Sequence, residues 1–422
     1  MDRRRRALSA STMSGGINTY NYLTIVALED GLTAQLSLNE CEYCVDGDGD
    51  WKTLTAATNT EAINTGQTLS FRGNLTPNSS NGIGTFTISK SCNLQGNCMS
   101  MLFGDDAASN TSLSGKNNTF RYLFQNCTTI KSVSSGFLPA TTIASGCYEY
   151  MFQGCTNLTQ APELPATILM TQCYYSMFRY CTILTKAPEL PATNLADNCY
   201  GYMFESCTSL TKAPELSATT LVYYCYNSMF SGCTNLTQVQ SILPATTLAI
   251  GCCSSMFWKC TNLTTAPELP ATTLLRNCYN SMFRNCTKLN YVKAMFTTTP
   301  SSEYTSNWLD GVASTGTFVK NRLATWNVTG SNGIPEGWAV ANAITFTIDR
   351  TEYQAEEGMT WGEWVNSEYN MIGAYIDSSG LIRCKESFIE SSMSILVYED
   401  ELILPGESYT ISDGGHSGGS GN

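Results

Sequence analysis

Cysteine, a nucleophile and metal ligand, occurs nineteen times in this 422-residue chain, and its placement decides what chemistry it could do. One column holds Cys147, Cys173, Cys199, Cys225, Cys252 and Cys278; a second holds Cys155, Cys181, Cys207, Cys233, Cys260 and Cys286. Such columns could carry metal ions or disulfides. Zinc, however, wants paired CxxC ligands, commonly with histidine, and neither column supplies them. Stacked, buried thiols fit better, because free cysteine packs as a compact hydrophobe. Cys41 and Cys44 form one CxxC, but five residues separate Cys92 from Cys98, so no second pair stands at zinc spacing. The expectation is no metal.

Carboxylates are the other candidates. Glu163, Glu189, Glu215 and Glu268 recur in register, and a carboxylate pair could serve a polysaccharide depolymerase. An acid/base pair needs two different environments, whereas repetition supplies the same one each time, so a solvated face is the simpler reading. Asp46, Asp48 and Asp50 alternate as calcium ligands can. An EF-hand also needs Glu at its twelfth position, which here is Ala57. A hairpin turn with solvated aspartates fits better, and calcium binding is left open. The one histidine, His416, sits in a Gly/Ser tail, which removes Ser-His-Asp and Cys-His machinery. No P-loop or GxGxxG fingerprint occurs. These observations predict no catalytic residues, no cofactor and no enzymatic activity.

What positions the cysteines is a repeat. Met-Phe recurs at 151, 177, 203, 229, 256 and 282 within the frame Cys-Tyr-x-x-Met-Phe-x-x-Cys-Thr-x-Leu-Thr, and a looser unit precedes it at Tyr122–Thr128. A unit of about 26 residues cannot bury its own apolar face, but stacked units bury a continuous core. Leu158, Ala161 and Leu164 should point inward from a short extended segment, with Met151 and Phe152 filling the opposite side. Pro162 and Pro165 keep that segment from becoming helix. The pattern predicts a solenoid of about seven turns, on the order of 35 Å long at strand spacing.

The frame Phe-x-x-Cys-x-x-Leu-x-x-Ala-x-x-Leu-Pro resembles the BspA-like, Treponema-type leucine-rich repeats of bacterial surface proteins and gut phages. The resemblance covers roughly 120–340 and implies a binding scaffold. Here the units are a few residues longer than usual, and Ala-Pro-Glu-Leu-Pro replaces the commoner Ile-x-Ile-Pro.

The fold class expected is mixed and β-rich: a leucine-rich-repeat-like solenoid flanked by an N-terminal β-sandwich-like cap and a small C-terminal α+β domain. Residues 1–16 read as a basic flexible arm, with Arg3–Arg6 followed by no apolar segment of the kind a secretion signal needs. Residues 17–115, with alternating runs such as Leu23–Leu28 and Thr85–Ile88, read as the β-rich cap. The solenoid occupies 116–296 and its C-terminal cap 297–340. An acidic α+β module at 341–412 contains a predicted helix with Thr360 as cap and Glu363 completing a capping box. A Gly/Ser tail, 413–422, ends the chain. Residues 341–422 hold fourteen acidic against three basic residues, most of the net charge of −12. That balance argues against nucleic acid, and no apolar stretch is long enough for a membrane span.

Comparing the units separates the frame from its variable positions. Those after Met-Phe and before the first cysteine change chemistry from unit to unit and include Arg179, Tyr180, Tyr223, Tyr224, Trp258, Lys259 and Arg276, residue types favoured at binding hot spots. They are the predicted ligand-binding residues, set against neutral surface drift. The expected partner is a protein or glycan on a cell or mucosal surface. Other virion proteins could attach through the N-terminal arm or the C-terminal module. The reading is a non-enzymatic recognition or adhesion protein, carried on a phage particle as a fibre or decoration protein. The alternatives are a BspA-like bacterial cell-surface adhesin and the depolymerase.

Overall fold

The computed structural model describes residues 21–321, 323–348, 351–356, 374–376, 381–384, 394–396 and 410–411, with side chains described as far as 341. The basic arm at 1–16, the predicted helix around Thr360 and Glu363, and His416 lie outside the described residues.

The solenoid is built from a ten-residue run of tandem turns that recurs once per coil, at 118–127, 146–155, 172–181, 198–207, 224–233, 251–260 and 277–286. Every fourth residue in the run has positive φ, as at Gln172, Ser176 and Tyr180. This left-handed region suits Gly and Asn and disfavours other side chains. The reversal makes the chain alternate two residues inward with two outward. Cys173, Tyr174, Met177, Phe178 and Cys181 are buried, while Tyr175, Arg179 and Tyr180 face out.

Backbone hydrogen bonding in the run divides strictly by parity. Cys147, Glu149, Met151, Gln153 and Cys155 donate their N–H groups three residues back within their own turn. Gly146, Tyr148, Tyr150, Phe152 and Gly154 donate instead to the carbonyls of Thr171, Cys173, Tyr175, Met177 and Arg179 in the next coil. Each following coil repeats the pattern, up to Asn285 donating to Asp310. Every polar backbone group of the run therefore has a partner, which burial of such groups requires. The extended side of the coil contributes less, through isolated parallel bridges such as Lys186 with Lys212 and Thr265 with Tyr291.

Inside, like stacks on like. Phe86, Phe124, Phe152, Phe178, Phe204, Phe230, Phe257 and Phe283 form one column, with ring centroids 5.5–5.8 Å apart and planes within 14°. Phe120, Tyr148, Tyr174, Tyr200 and Tyr226 form a second. Leu158 and Leu164 are buried as the repeat pattern requires, with Ala161 partly so. The second cysteine column does more than fill space. Its thiols donate to phenylalanine carbonyls of the preceding coil, as Cys181 to Phe152 at 3.2 Å and Cys286 to Phe257 at 3.0 Å. A thiol is small, apolar and still a donor, so it satisfies a second lone pair without bringing in a polar group that needs water.

Both ends are closed. β1 (Leu23–Ala27), β3 (Cys41–Val45), β4 (Lys52–Leu54), β5 (Thr68–Arg72), β7 (Cys92–Gly96) and β8 (Ile130–Val133) form a six-stranded sheet in the order β4-β3-β5-β1-β7-β8. β2 (Ala34–Leu36) pairs with β6 (Phe86–Ile88) in a separate two-stranded sheet. β7 and β8 are parallel, and Ser132 bridges to Gln160, so this sheet passes directly into the first coils. Ile83 and Phe86 donate to carbonyls of Thr119 and Leu123, completing the first turn run. At the other end β9 (Tyr291–Ala294), β10 (Thr317–Asn321) and β11 (Ala339–Ile348) are parallel. There the indole N–H groups of Trp308, Trp326 and Trp338 bond the carbonyls of Gly333, Phe296 and Ala313. β12 (Thr351–Glu356) pairs antiparallel with β11. β13 (Ala374–Ile376), β14 (Leu381–Cys384) and β15 (Ser394–Leu396) make a small antiparallel sheet, and β16 (Thr410–Ile411) pairs with β11.

The side chains of eighteen of the nineteen cysteines are described; all eighteen are buried and none forms a disulfide. Burial pushes the thiols of Cys147, Cys278 and Cys286 up to about 12. Cys252 alone is lowered, by a hydrogen bond from Cys253, but both thiols are fully buried. The expected outcome is that a thiol reagent at neutral pH modifies at most the one remaining cysteine of the native chain, and the rest only on unfolding. Rapid reaction of several thiols in the native state would contradict this packing.

Candidate functional site

The outward positions of the turn run form three stripes along the solenoid, and the predicted ligand-binding residues fall on the two outer ones. Arg179, Tyr180, Trp258 and Lys259 belong to one. Tyr223, Tyr224 and Arg276, which lie just before or at the start of the run, belong to the other. They are not one cluster. Arg179 lies 4.6 Å over the Tyr180 ring and Lys259 4.6 Å over Trp258, while Tyr223 and Tyr224 meet edge to face at 4.4 Å. Arg276 is exposed on its own coil.

The middle stripe is what the sequence reading missed, because it lies inside the Tyr-x-x-Met spacing of the frame. Over the first four coils it presents Arg121 and Tyr122, Glu149 and Tyr150, Tyr175, then Tyr202. Successive tyrosine rings are 5.1, 5.5 and 5.4 Å apart. Tyr122 and Tyr150 stack face to face, whereas Tyr175 turns its edge and lies against Gly201, where a Cβ would come within 3.0 Å of its ring. Arg121 covers Tyr122 at 4.8 Å, and Arg179 reaches Tyr202 at 5.4 Å, joining the middle stripe to Tyr180. Beyond the fourth coil the stripe changes to Asn227, Ser228, Ser254, Ser255, Asn280 and Ser281. The aromatic patch is therefore bounded.

Both arginines of the patch are neutralised from the coil above. Arg121 pairs with Glu149 at 3.0 Å, and Arg179 pairs with Glu205. Glu149 is almost wholly buried; burial pushes its carboxyl up to about 7, against the pull of Arg121. The hydroxyls of Tyr122, Tyr150, Tyr175, Tyr180 and Tyr202 have no hydrogen-bond partner among the described residues. The patch thus offers rings and hydroxyl groups, and both its guanidinium groups are ion-paired where Glu149 and Glu205 are ionised.

The backbone under these tyrosines is the stronger observation. Tyr122, Tyr150, Tyr180, Tyr202 and Tyr224 all occupy the left-handed region, with φ between 51° and 63°. The same positions in other coils hold mostly Asn, Gly or Ser, as at Asn126, Gly154, Ser176 and Asn285, and longer side chains at Gln172 and Lys259. Placing a bulky residue there costs on the order of 1 kcal/mol.

Other sequence candidates behave differently. Glu163, Glu189 and Glu215 are exposed, and Glu268 pairs with Lys293 at 3.3 Å. Asp46 accepts from the Thr68 amide and the Gln67 side chain, and Asp48 from the Asp50 amide, so these carboxylates organise their own turn. No group of three or more metal-ligating side chains occurs among the described residues, and no helix among them is long and apolar enough to cross a membrane.

The fold and its repeating frame define a leucine-rich-repeat-type solenoid. Residues 117–264 and 198–307 match the BspA type leucine rich repeat region, in six copies, so this part of the chain is a BspA-like leucine-rich-repeat array. No curated protein and no solved structure matches the chain.

Two outcomes test this geometry. Replacing Tyr150 or Tyr202 with Asn, which tolerates positive φ, should leave the melting temperature unchanged or raised by a degree or two; a clear drop by calorimetry would mean the rings serve folding. Because the folded state holds the Glu149 proton more tightly than the unfolded chain, the stability it contributes is present at low pH. That share is lost as pH rises through about 7. The urea midpoint should fall between roughly pH 5 and pH 8, and Glu149→Gln should flatten that slope.

Proposed function

We propose that this protein is a non-enzymatic recognition protein that binds a surface ligand through the outward face of its turn runs. The observation that carries the reading is the set of five tyrosines held at positive φ on the turn face, where the backbone favours Gly or Asn. Outliers of this kind concentrate where side-chain placement serves binding. The arrangement of a rigid array with changing outward chemistry also fits recognition, since the frame fixes the scaffold and leaves the outer pairs available for contact.

The finer reading is a phage virion-associated fibre or decoration protein whose partner is a protein or glycan on a host or mucosal surface. Support comes from the adhesion-type repeat and from distinct segments at either end that could attach to an assembly. The test is mass spectrometry of purified virions: the chain is expected at stoichiometric levels with the structural proteins. Its absence from particles, with recovery from bacterial envelopes, would overturn the virion assignment in favour of a cell-surface adhesin.

A further inference from the structure

We infer that the tyrosine patch on the first four coils binds an uncharged glycan chain running along the solenoid axis. The inference rests on the recognition reading above and names its ligand class.

Three features select that ligand. The first is charge. Arg121 lies over Tyr122 and Arg179 reaches Tyr202, but each is matched by a carboxylate, Glu149 or Glu205. An acidic polymer entering here would have to break a half-buried ion pair to gain a partner. Cations without a salt bridge, Lys259 and Arg276, stand elsewhere on the turn face. A cationic peptide fares no better, because the carboxylates are the more deeply buried members of the pairs.

The second is spacing. Tyr122, Tyr150, Tyr175 and Tyr202 advance in steps of 5.1–5.5 Å, set by the coil-to-coil repeat. Side chains on one face of an extended peptide recur at about 6.8 Å, twice the rise per residue, and would lose register within two or three coils. An extended chain of equatorially linked pyranoses advances about one ring length per sugar, close to the coil step. The sugar step therefore stays in register with the four rings.

The third is bonding type. Tyrosine rings offer apolar C–H contact and their hydroxyls both donate and accept. Paired guanidinium and carboxylate groups can add charge-assisted bonds to vicinal hydroxyls without needing a counter-charge. Sugars present these two faces, axial C–H groups and equatorial hydroxyls, on every unit.

The test uses the intact chain with defined probes: cellohexaose and β-1,4-mannohexaose as neutral hexasaccharides, and hexagalacturonate as the acidic control. Calorimetry should detect at least one neutral probe binding, with hexagalacturonate much weaker. The double change Tyr150→Asn and Tyr202→Asn, chosen because Asn suits the backbone there, should weaken binding roughly tenfold or more, while Lys186→Ala on the extended side should leave it unchanged. Binding of none of the neutral probes would overturn the inference, as would neutral binding that survives the double change. So would preferential binding of hexagalacturonate, lost on Lys259→Ala. If instead the intact protein is retained on a protein ligand and the double change abolishes that retention, the glycan inference fails and the recognition reading stands.

Discussion

The array depends on the ladder of backbone hydrogen bonds that joins each turn run to the next. Five donors per run point along the solenoid axis, and the other five close turns within the coil. That division holds only if the chain reverses at every fourth residue, which is why positive φ recurs at that interval. The side chains follow from the backbone: two in, two out. Stacked Phe, Tyr and Met then fill the inside, and cysteine thiols satisfy the lone pairs that the turns leave over. The extended side, crossed by prolines and joined by isolated bridges, is the weaker seam.

The same constraint produces the outward face of the turn runs. A residue at positive φ projects its side chain outward, beside an outward partner one position earlier. Where Asn, Ser or Gly occupies these places the face is smooth and polar. Where tyrosine does, the ring is set at coil spacing on a scaffold that cannot readily move it, so its ordering cost falls on folding and not on binding. The paired Arg and Glu of adjacent coils hold the rings from the side and cancel each other's charge.

Much of the fold was legible in the residues. Met151 and Phe152 with their equivalents, both cysteine columns and Leu158 are fixed by burial, and burial repeats because the coil repeats. The thiols as hydrogen-bond donors were not legible, since the partner of Cys181 is a backbone carbonyl 29 residues earlier. The site was legible in part. Arg179 and Tyr180 stood out because they flank a frame residue, and they do belong to the patch. Tyr150, Tyr175 and Tyr202 did not, because they alternate between two neighbouring frame positions and no single column is aromatic throughout. Only the turn geometry brings them together. Tyr223, Trp258 and Arg276 vary as freely, but the structure sets them on separate stripes.

Hydrogen exchange resolved to single amides on the intact chain measures which seam holds the coils together. The inter-coil donors Tyr148, Phe152, Tyr174, Phe178, Tyr200 and Phe204 should exchange slowly and at one common level, well behind the amides of the proline-bearing extended side. Faster exchange along the turn runs than along the extended side, or protection that differs from coil to coil, would contradict it.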